Sequence, residues 1–269
     1  MKRSFQINRY RSITIENLKT MSRFSGKNII VTGGNSGIGL QSVKHFLAEG
    51  ANVVFTGRRQ EALDEVSKEL SGNFLAVRAD AASLEDSKSL IKQATDKFGK
   101  IDAIFLNAGV AFFQPMSDIT EEHFDEIFNI NVKGPFFTIK EAIPHINDGG
   151  VIISNTSIVN QKGFDGAGVY SASKAALRSV GRVLATELAA KNIRTVSVAP
   201  GPIETPIYGK LGMPEEQLNE MGSSFAQSVP LGRFGNADEI AKTVLFLASE
   251  DASFINGVEV AVDGGLSQV

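Results

Sequence analysis

Tyr170 and Lys174 stand four residues apart at the start of a helix-like segment, which puts both side chains on one helical face. A phenol titrating at about 10 is a weak base at neutral pH, and a cation held beside it favours the phenolate. Ser157 precedes Tyr170 by thirteen residues and follows the apolar run Val151-Ile152-Ile153. Phenol, ammonium and hydroxyl together can carry proton-transfer chemistry. Taken singly, they are equally a core tyrosine, a solvated lysine and a capping serine.

A second group of residues speaks of phosphate. The run Asn28–Val31 leads into Thr32-Gly33-Gly34-Asn35-Ser36-Gly37-Ile38-Gly39 and then straight into a helix-like stretch, Ile38–Glu49. Glycine supplies positive φ in a tight turn and lets backbone approach a pyrophosphate closely. The following helix start adds free N–H groups and a positive dipole end. The spacing Gly33-x3-Gly37-x-Gly39 is not the common G-x-G-x-x-G, and a lone glycine motif is weak. Strand, glycine turn, helix and a second apolar strand are the context that a dinucleotide site requires.

The elements that must position these groups follow a steady rhythm. Short apolar runs at 28–31, 52–55, 74–77, 103–106, 151–154, 195–198 and 258–262 alternate with helix-like stretches at 38–49, 60–70, 84–98, 121–130, 134–146, 170–191 and 237–249. Strands that read as nearly continuous Val, Ile, Leu and Phe are buried on both faces, as in a parallel sheet. The alternation predicts one α/β domain over residues 21–269, a Rossmann fold with a doubly wound, seven-stranded parallel sheet and helices on both faces. In such sheets ligands bind beyond the carboxyl ends of the strands, where Ser157 and the start of the Tyr170 helix would meet the glycine turn.

Composition narrows the chemistry. The chain has 269 residues, a net charge of −3, no Cys and 42% hydrophobic residues. That excludes intrinsic disorder, a disulfide scaffold and thiolate metal centres. No apolar run approaches the roughly 18 residues of a membrane span; Ala103–Phe113 is too short and carries Asn107. A reducing, cytoplasmic setting follows. Five basic residues and one acid give residues 1–20 a charge of +4, leaving −7 on the rest. So acidic a body repels nucleic acid. His45, His123 and His145 share no ligand spacing, so no metal is expected. Residues 1–20 resemble a transit peptide in being Arg-rich and acid-poor, but are read as a disordered or appended leader with Met21 as initiator.

The ordered motifs resemble the short-chain dehydrogenase/reductase family across Met21–Val269. They are Thr32–Gly39, Asp80, Asn107-Ala108-Gly109, Asn131, Ser157, Tyr170-x3-Lys174, Pro200-Gly201 and Val262-Asp263-Gly264-Gly265. Within it, the chain looks most like bacterial NADPH-dependent alcohol dehydrogenases that reduce ketones. The resemblance implies Tyr170 as proton donor or acceptor, and Lys174 as its tuner and a holder of nicotinamide ribose. It implies Ser157 as hydrogen-bond donor to the carbonyl oxygen, and Asn131 as a helix kink that positions a water linking Lys174 to solvent. Cofactor contacts implied with these are Gly33, Asn35, Ser36, Gly37, Ile38, Gly39, Asp80, Ala81, Asn107, Ala108, Gly109, Pro200, Gly201, Ile203 and Thr205. The expected reaction moves a hydride between NADP(H) and an apolar, fairly bulky ketone or secondary alcohol. The rivals are a 3-oxoacyl thioester reductase, a sugar dehydrogenase and a cofactor-sensing scaffold without turnover.

Cofactor choice can be read at the second strand. An NAD site places Asp or Glu at its end for the ribose 2′-hydroxyl, but here the strand closes Phe55-Thr56-Gly57-Arg58-Arg59. Guanidinium forks match phosphate, so Arg58 and Arg59 are expected to hold a 2′-phosphate. Phe112, Phe113, Phe164 and Phe225 lie near expected substrate loops. The Gly- and Pro-rich stretch from Ile203 to Ser228, with Ile207, Tyr208, Leu211, Met213, Leu218 and Met221, has the makeup of an apolar substrate lid. Phe136, Phe137, Ile139, Val180, Val183 and Leu184 cannot all face one sheet, and the resemblance implies that their helices pack on their copies in a homotetramer.

Overall fold

A computed structural model describes residues 22–205, 222 and 226–269. The leader, Phe225 and the lid residues Ile207, Tyr208, Leu211, Met213, Leu218 and Met221 lie outside the described residues.

The strands are β1 (Asn28–Val31), β2 (Asn52–Gly57), β3 (Asn73–Arg78), β4 (Ile101–Leu106), β5 (Ile146–Asn155), β6 (Arg194–Pro200), β7 (Ile203–Glu204), β8 (Gly235–Asn236) and β9 (Glu259–Val262). Seven of them form one parallel sheet in the order β3-β2-β1-β4-β5-β6-β9, while β7 pairs with β8 apart from it. The helices are α1 (Gly37–Ala48), α2 (Gln60–Glu69), α3 (Leu84–Phe98), α4 (Glu121–Phe128), α5 (Gly134–Ala142), α6 (Gly168–Glu187) and α7 (Ala237–Ala248).

Two hydrophobic cores explain why the strands read as unbroken apolar runs. Ile29, Val31, Val53, Phe55, Phe105 and Ile153 point to one face and pack with Val43 and Phe46 of α1 and Ile240 and Val244 of α7. Their sequence neighbours Ile30, Val54, Ile104, Leu106 and Ile152 point to the other, against Leu90 and Ile91 of α3, Ile139 of α5 and Leu184 of α6. Alternate residues serve opposite layers, so neither face can be polar. The strand order reverses between β1 and β4, and there the helices diverge and leave a crevice at the carboxyl ends.

Several strands run longer than expected, β5 most of all, beginning at Ile146, and three helices end differently from the sequence expectation. The stretch expected as one helix from Gly134 to Ile146 stops at Ala142, because Pro144 carries no N–H, and a 3-10 turn at Ile143–His145 leads into β5. The helix expected to reach Lys191 ends at Glu187; a 3-10 turn follows, and Asn192 adopts φ 55° to release the chain into β6. The helix expected to end at Ile130 instead passes through a π turn, Asn129–Lys133, directly into α5. A π turn inserts one extra residue per turn and often marks a functional position.

Candidate active site

The carboxyl ends of β1 to β6 open into a cleft of ≈ 340 Å³. Its floor at one end is the glycine turn, where Gly33 and Gly37 take φ of +64° and +51°. A Cβ on Gly39 would stand 2.2 Å from the Gly33 carbonyl oxygen, so this glycine lets α1 sit down on the turn and lies behind the cleft wall. Asn35, Ser36, Gly37 and Ile38 do form the wall. Asn107 staples the strand ends together. Its Nδ2 donates to the carbonyls of Thr32 and Gly33 at 3.0 and 3.1 Å, and its Oδ1 accepts from Asn155 Nδ2 at 3.0 Å. Ala108 and Gly109 continue the wall toward the reactive end.

Arg58 lines the cleft beside Gly57, whereas Arg59 starts α2 outside it. A Cβ on Gly57 would lie 2.9 Å from Asn35 Cγ, so the Asn35 side chain occupies the space next to the strand end. Asp80 and Ala81 border the same end, with one Asp80 oxygen already accepting from Ala82 N at 2.9 Å. Pro200, Gly201, Ile203 and Thr205 close the opposite side.

Ser157, Tyr170 and Lys174 meet at the other end of the cleft. The Ser157 hydroxyl lies near enough to the Tyr170 phenol to act on its proton, while its Oγ accepts from Val159 N at 3.4 Å. Lys174 is 5% exposed, and its Nζ donates to the Asn155 carbonyl at 2.7 Å and stands 5.8 Å from the centre of the Tyr170 ring. Burial pulls the ammonium down to about 8. Burial also pushes the Tyr170 phenol above its ordinary value, and the Ser157 hydrogen bond opposes that rise. Desolvation of the ring outweighs an ammonium whose hydrogen bond goes to a carbonyl.

Asn131 sits in the π turn, 1% exposed and behind the wall. Its Oδ1 accepts from Val110 N at 2.9 Å, and its Nδ2 donates to the Val110 carbonyl and to Ser173 Oγ at 2.9 and 3.1 Å. All its side-chain bonds thus hold the segment after β4 against α6, and none reaches Lys174. Among the described residues, no three His, Cys, Asp or Glu side chains gather as a metal cluster, and no helix is long and apolar enough to cross a membrane.

A family model described as enoyl-(acyl carrier protein) reductase matches residues 33–267. The chain belongs to the short-chain dehydrogenase/reductase family. Three similar proteins span a range of substrates. A probable tetrahydroxynaphthalene reductase of Zymoseptoria tritici is 36% identical over 257 residues, covering 90% of this chain and 95% of that protein. The 3-oxoacyl-[acyl-carrier-protein] reductase FabG of Thermotoga maritima is 36% identical over 251 residues, covering 91% and 99%. A crystal structure from Brucella melitensis, described as a short-chain dehydrogenase/reductase of the glucose/ribitol dehydrogenase type, superposes with a TM-score of 0.86 at 32% identity, covering 91% and 98%.

A short-chain dehydrogenase/reductase is an oxidoreductase that works with a nicotinamide cofactor, and the site fits one. The glycine turn leaves backbone uncovered where pyrophosphate would lie. Lys174, with three N–H donors, has one acceptor among the described residues, which suits the ribose hydroxyls of a dinucleotide. Phe113, expected near a substrate loop, lines the cleft; Thr56, Val110, Ala111, Ile130, Asn155 and Thr156 also line it but were not singled out from the sequence. Asn155 had a legible signal, a polar residue closing a buried strand. Phe113 has its ring 5.9 Å from that of Tyr170. Phe112 instead faces His123, and Phe164 packs with Ile158, Val229 and Leu266.

Proposed function

We propose that this protein is an NADP(H)-dependent reductase of an apolar, fairly bulky ketone, with the alcohol oxidation as its reverse. The observation that carries the reading is the meeting of Ser157, Tyr170 and Lys174 at one end of a cleft whose other end is a glycine turn. When bound, the cofactor supplies the hydride to the carbonyl carbon. Tyr170, a phenol protonated at neutral pH and raised further by burial, donates its proton to the carbonyl oxygen. The Ser157 hydroxyl donates a hydrogen bond to that same oxygen and stabilises charge as it develops. Lys174 orients the ribose and places a cation beside the phenol; in the oxidation direction, that cation favours the phenolate that must act as base. Asn131 ties Val110 to Ser173 from within the π turn, and on this reading the turn positions a water between Lys174 and solvent.

Two features support NADP(H) over NAD(H). Gly57 stands where an acid would take the ribose 2′-hydroxyl, and Arg58 faces the cleft just beyond it. Asp80 and Ala81 border the adenosine end, and Arg59 stands just outside it, close enough in sequence to Arg58 to add charge. An apolar substrate is supported by Val110, Ala111 and Phe113 around the reactive end. A cytoplasmic setting, the expectation from the Cys-free composition, belongs to the same proposed reading. A homotetramer is supported by Phe136 on α5 and Val183 on α6, which are 47% and 54% exposed on helices whose inner faces are already packed.

The test is optical: NADPH and NADH oxidation followed with apolar ketones, 3-oxoacyl thioesters and oxidised sugars. Turnover of the ketones with NADPH is expected. Preference for thioesters or sugars would instead select one of the rival substrate classes, and no turnover with any of them would favour the scaffold.

A further inference from the structure

Glu259 is the first residue of the edge strand β9, within the run Val258-Glu259-Val260-Ala261-Val262, and its side chain is only 1% exposed. A buried carboxylate persists only where partners satisfy it. Its Oε1 accepts from Thr156 Oγ1 at 2.5 Å and from Asn160 Nδ2 at 2.7 Å, and its Oε2 from Gln161 Nε2 at 2.6 Å. Arg178 supplies the countercharge, with Nε 3.2 Å from Oε2 and a side chain 30% exposed.

The positions of these partners give the arrangement its meaning. Thr156 immediately precedes Ser157, while Asn160 and Gln161 close the 3-10 turn that follows it. Thr156 is also pinned by its backbone N–H to the Val198 carbonyl on β6 at 2.9 Å. Arg178 lies four residues beyond Lys174 and eight beyond Tyr170 on α6, so it shares their helical face. One carboxylate on β9 thus grips the chain on both sides of Ser157 and the helix that carries the phenol.

We propose that Glu259 is a positioning residue that sets the Ser157 hydroxyl against the Tyr170 phenol. The inference rests on the catalytic reading of Ser157 and Tyr170 given above. Charge-assisted hydrogen bonds are about twice as strong as neutral ones, and the site tolerates little looseness, since a shift near 1 Å can cost about 100-fold in rate. The apolar contacts of Ile158 with Val229 and Leu266 hold the same turn from below without fixing where the hydroxyl points.

The experiment is a double-mutant cycle of Glu259→Gln and Ser157→Ala, with NADPH and the fastest ketone of the panel. Glu259→Gln keeps the shape, removes the charge and turns one acceptor into a donor. It is expected to lower kcat about tenfold with the NADPH dissociation constant within about twofold of the parent, and to have little further effect once Ser157 is Ala. A second readout needs no turnover. Ultraviolet difference titration of the phenol, with Tyr170→Phe as the reference, should show Tyr170 titrating higher in Glu259→Gln, because the Ser157 hydrogen bond holds it down. Lys174 is the cation beside that phenol and is unchanged in the comparison. Gln161→Ala, at an exposed position, should move both readouts the same way by a smaller amount, and it carries the test if Glu259→Gln fails to fold. Equal losses with and without Ser157, or an unmoved phenol titration, would overturn the proposal while leaving the catalytic reading intact. Ser157→Ala at the parental rate would overturn the catalytic reading, and this inference with it.

Discussion

Lys174 donates its hydrogen bond to the carbonyl of Asn155, at 2.7 Å, and not to the phenol of Tyr170 on the same helical face. Asn155 in turn donates through Nδ2 to Asn107, whose amide holds the glycine turn. A short polar chain therefore runs beneath the whole cleft, from the ammonium across the ends of β5 and β4 to the turn after β1. It fixes the two ends of the site relative to one another before any ligand arrives.

Tyr170→Phe removes one hydroxyl and keeps the ring that packs near Phe113. Turnover should fall at least about 100-fold from the loss of acid–base catalysis, while NADPH binding, measured by fluorescence titration, stays near the parental value. Activity within a few-fold of the parent would remove Tyr170 from the mechanism.

Burial of Lys174 should be visible in stability as well as in rate. Its folded pKa is lowered to about 8 from an ordinary 10.5. The unfolded chain thus binds the proton more tightly, and stability from this group increases as pH rises from about 8 to above 10. At pH 7 the buried charge costs up to about 3 kcal/mol, at 1.36 kcal/mol per pKa unit. Lys174→Met should stabilise the protein without cofactor at pH 7 by about 1–3 kcal/mol, lose that advantage by pH 10, and be inactive. Urea unfolding of both proteins at the two pH values measures it, and a destabilised variant at pH 7 would contradict the sign.

Asn131→Ala should be costly. It leaves the Val110 N–H and carbonyl unpaired in a half-buried place and removes the buried bond to Ser173. Each unsatisfied buried group costs about 1–3 kcal/mol, so a loss of about 2–4 kcal/mol in chemical denaturation is expected, with kcat reduced in the protein that remains folded. Asn131→Asp keeps one acceptor for Val110 N–H and should recover part of the stability.

These residues also mark how far the sequence could be read. The seven strands were legible because burial on both faces forces unbroken apolar runs, and the glycine turn because its spacing sits between a strand and a helix. The break at Pro144 was visible in principle, but apolar periodicity continued past it. The π turn left no trace, since Asn129 to Lys133 keeps helical periodicity while changing only the hydrogen-bond step. Of the two polar anchors, Asn155 looked like a strand end. Glu259 carried a signal that only burial explains: an acid inside Val-Glu-Val-Ala-Val must find partners from elsewhere in the chain.

The outer faces of α5 and α6 should carry the assembly. Light scattering at micromolar concentration is expected to give about four times the 28.8 kDa chain mass. Phe136→Glu and Val183→Glu place charges on exposed apolar positions and should reduce the mass without unfolding the chain. A parent that scatters as a monomer would reject the tetramer.

Cofactor choice turns on Arg58, which faces the cleft next to a glycine where an NAD site would have an acid. On the proposed reading, Arg58→Ala removes a charge-assisted contact that NADPH would make and NADH could not. Hydrogen bonds to charged groups are worth about 1.5–3 kcal/mol, and about 1.4 kcal/mol is tenfold in affinity. Arg58 is exposed, which favours the lower end of that range, so the NADPH KM should rise about tenfold while that for NADH barely moves. Arg59→Ala should act in the same direction more weakly, because that residue starts α2 outside the cleft wall. Gly57→Asp should go further, by repelling the phosphate and offering the ribose hydroxyls an acceptor. Its Cβ would meet Asn35 Cγ at 2.9 Å, so the Asn35 side chain must swing aside. The pair Gly57→Asp with Asn35→Ala is therefore expected to turn toward NADH more fully than Gly57→Asp alone. Equal weakening of both cofactors by Arg58→Ala, or a parent that already prefers NADH, would show that the guanidinium does not read the 2′-phosphate.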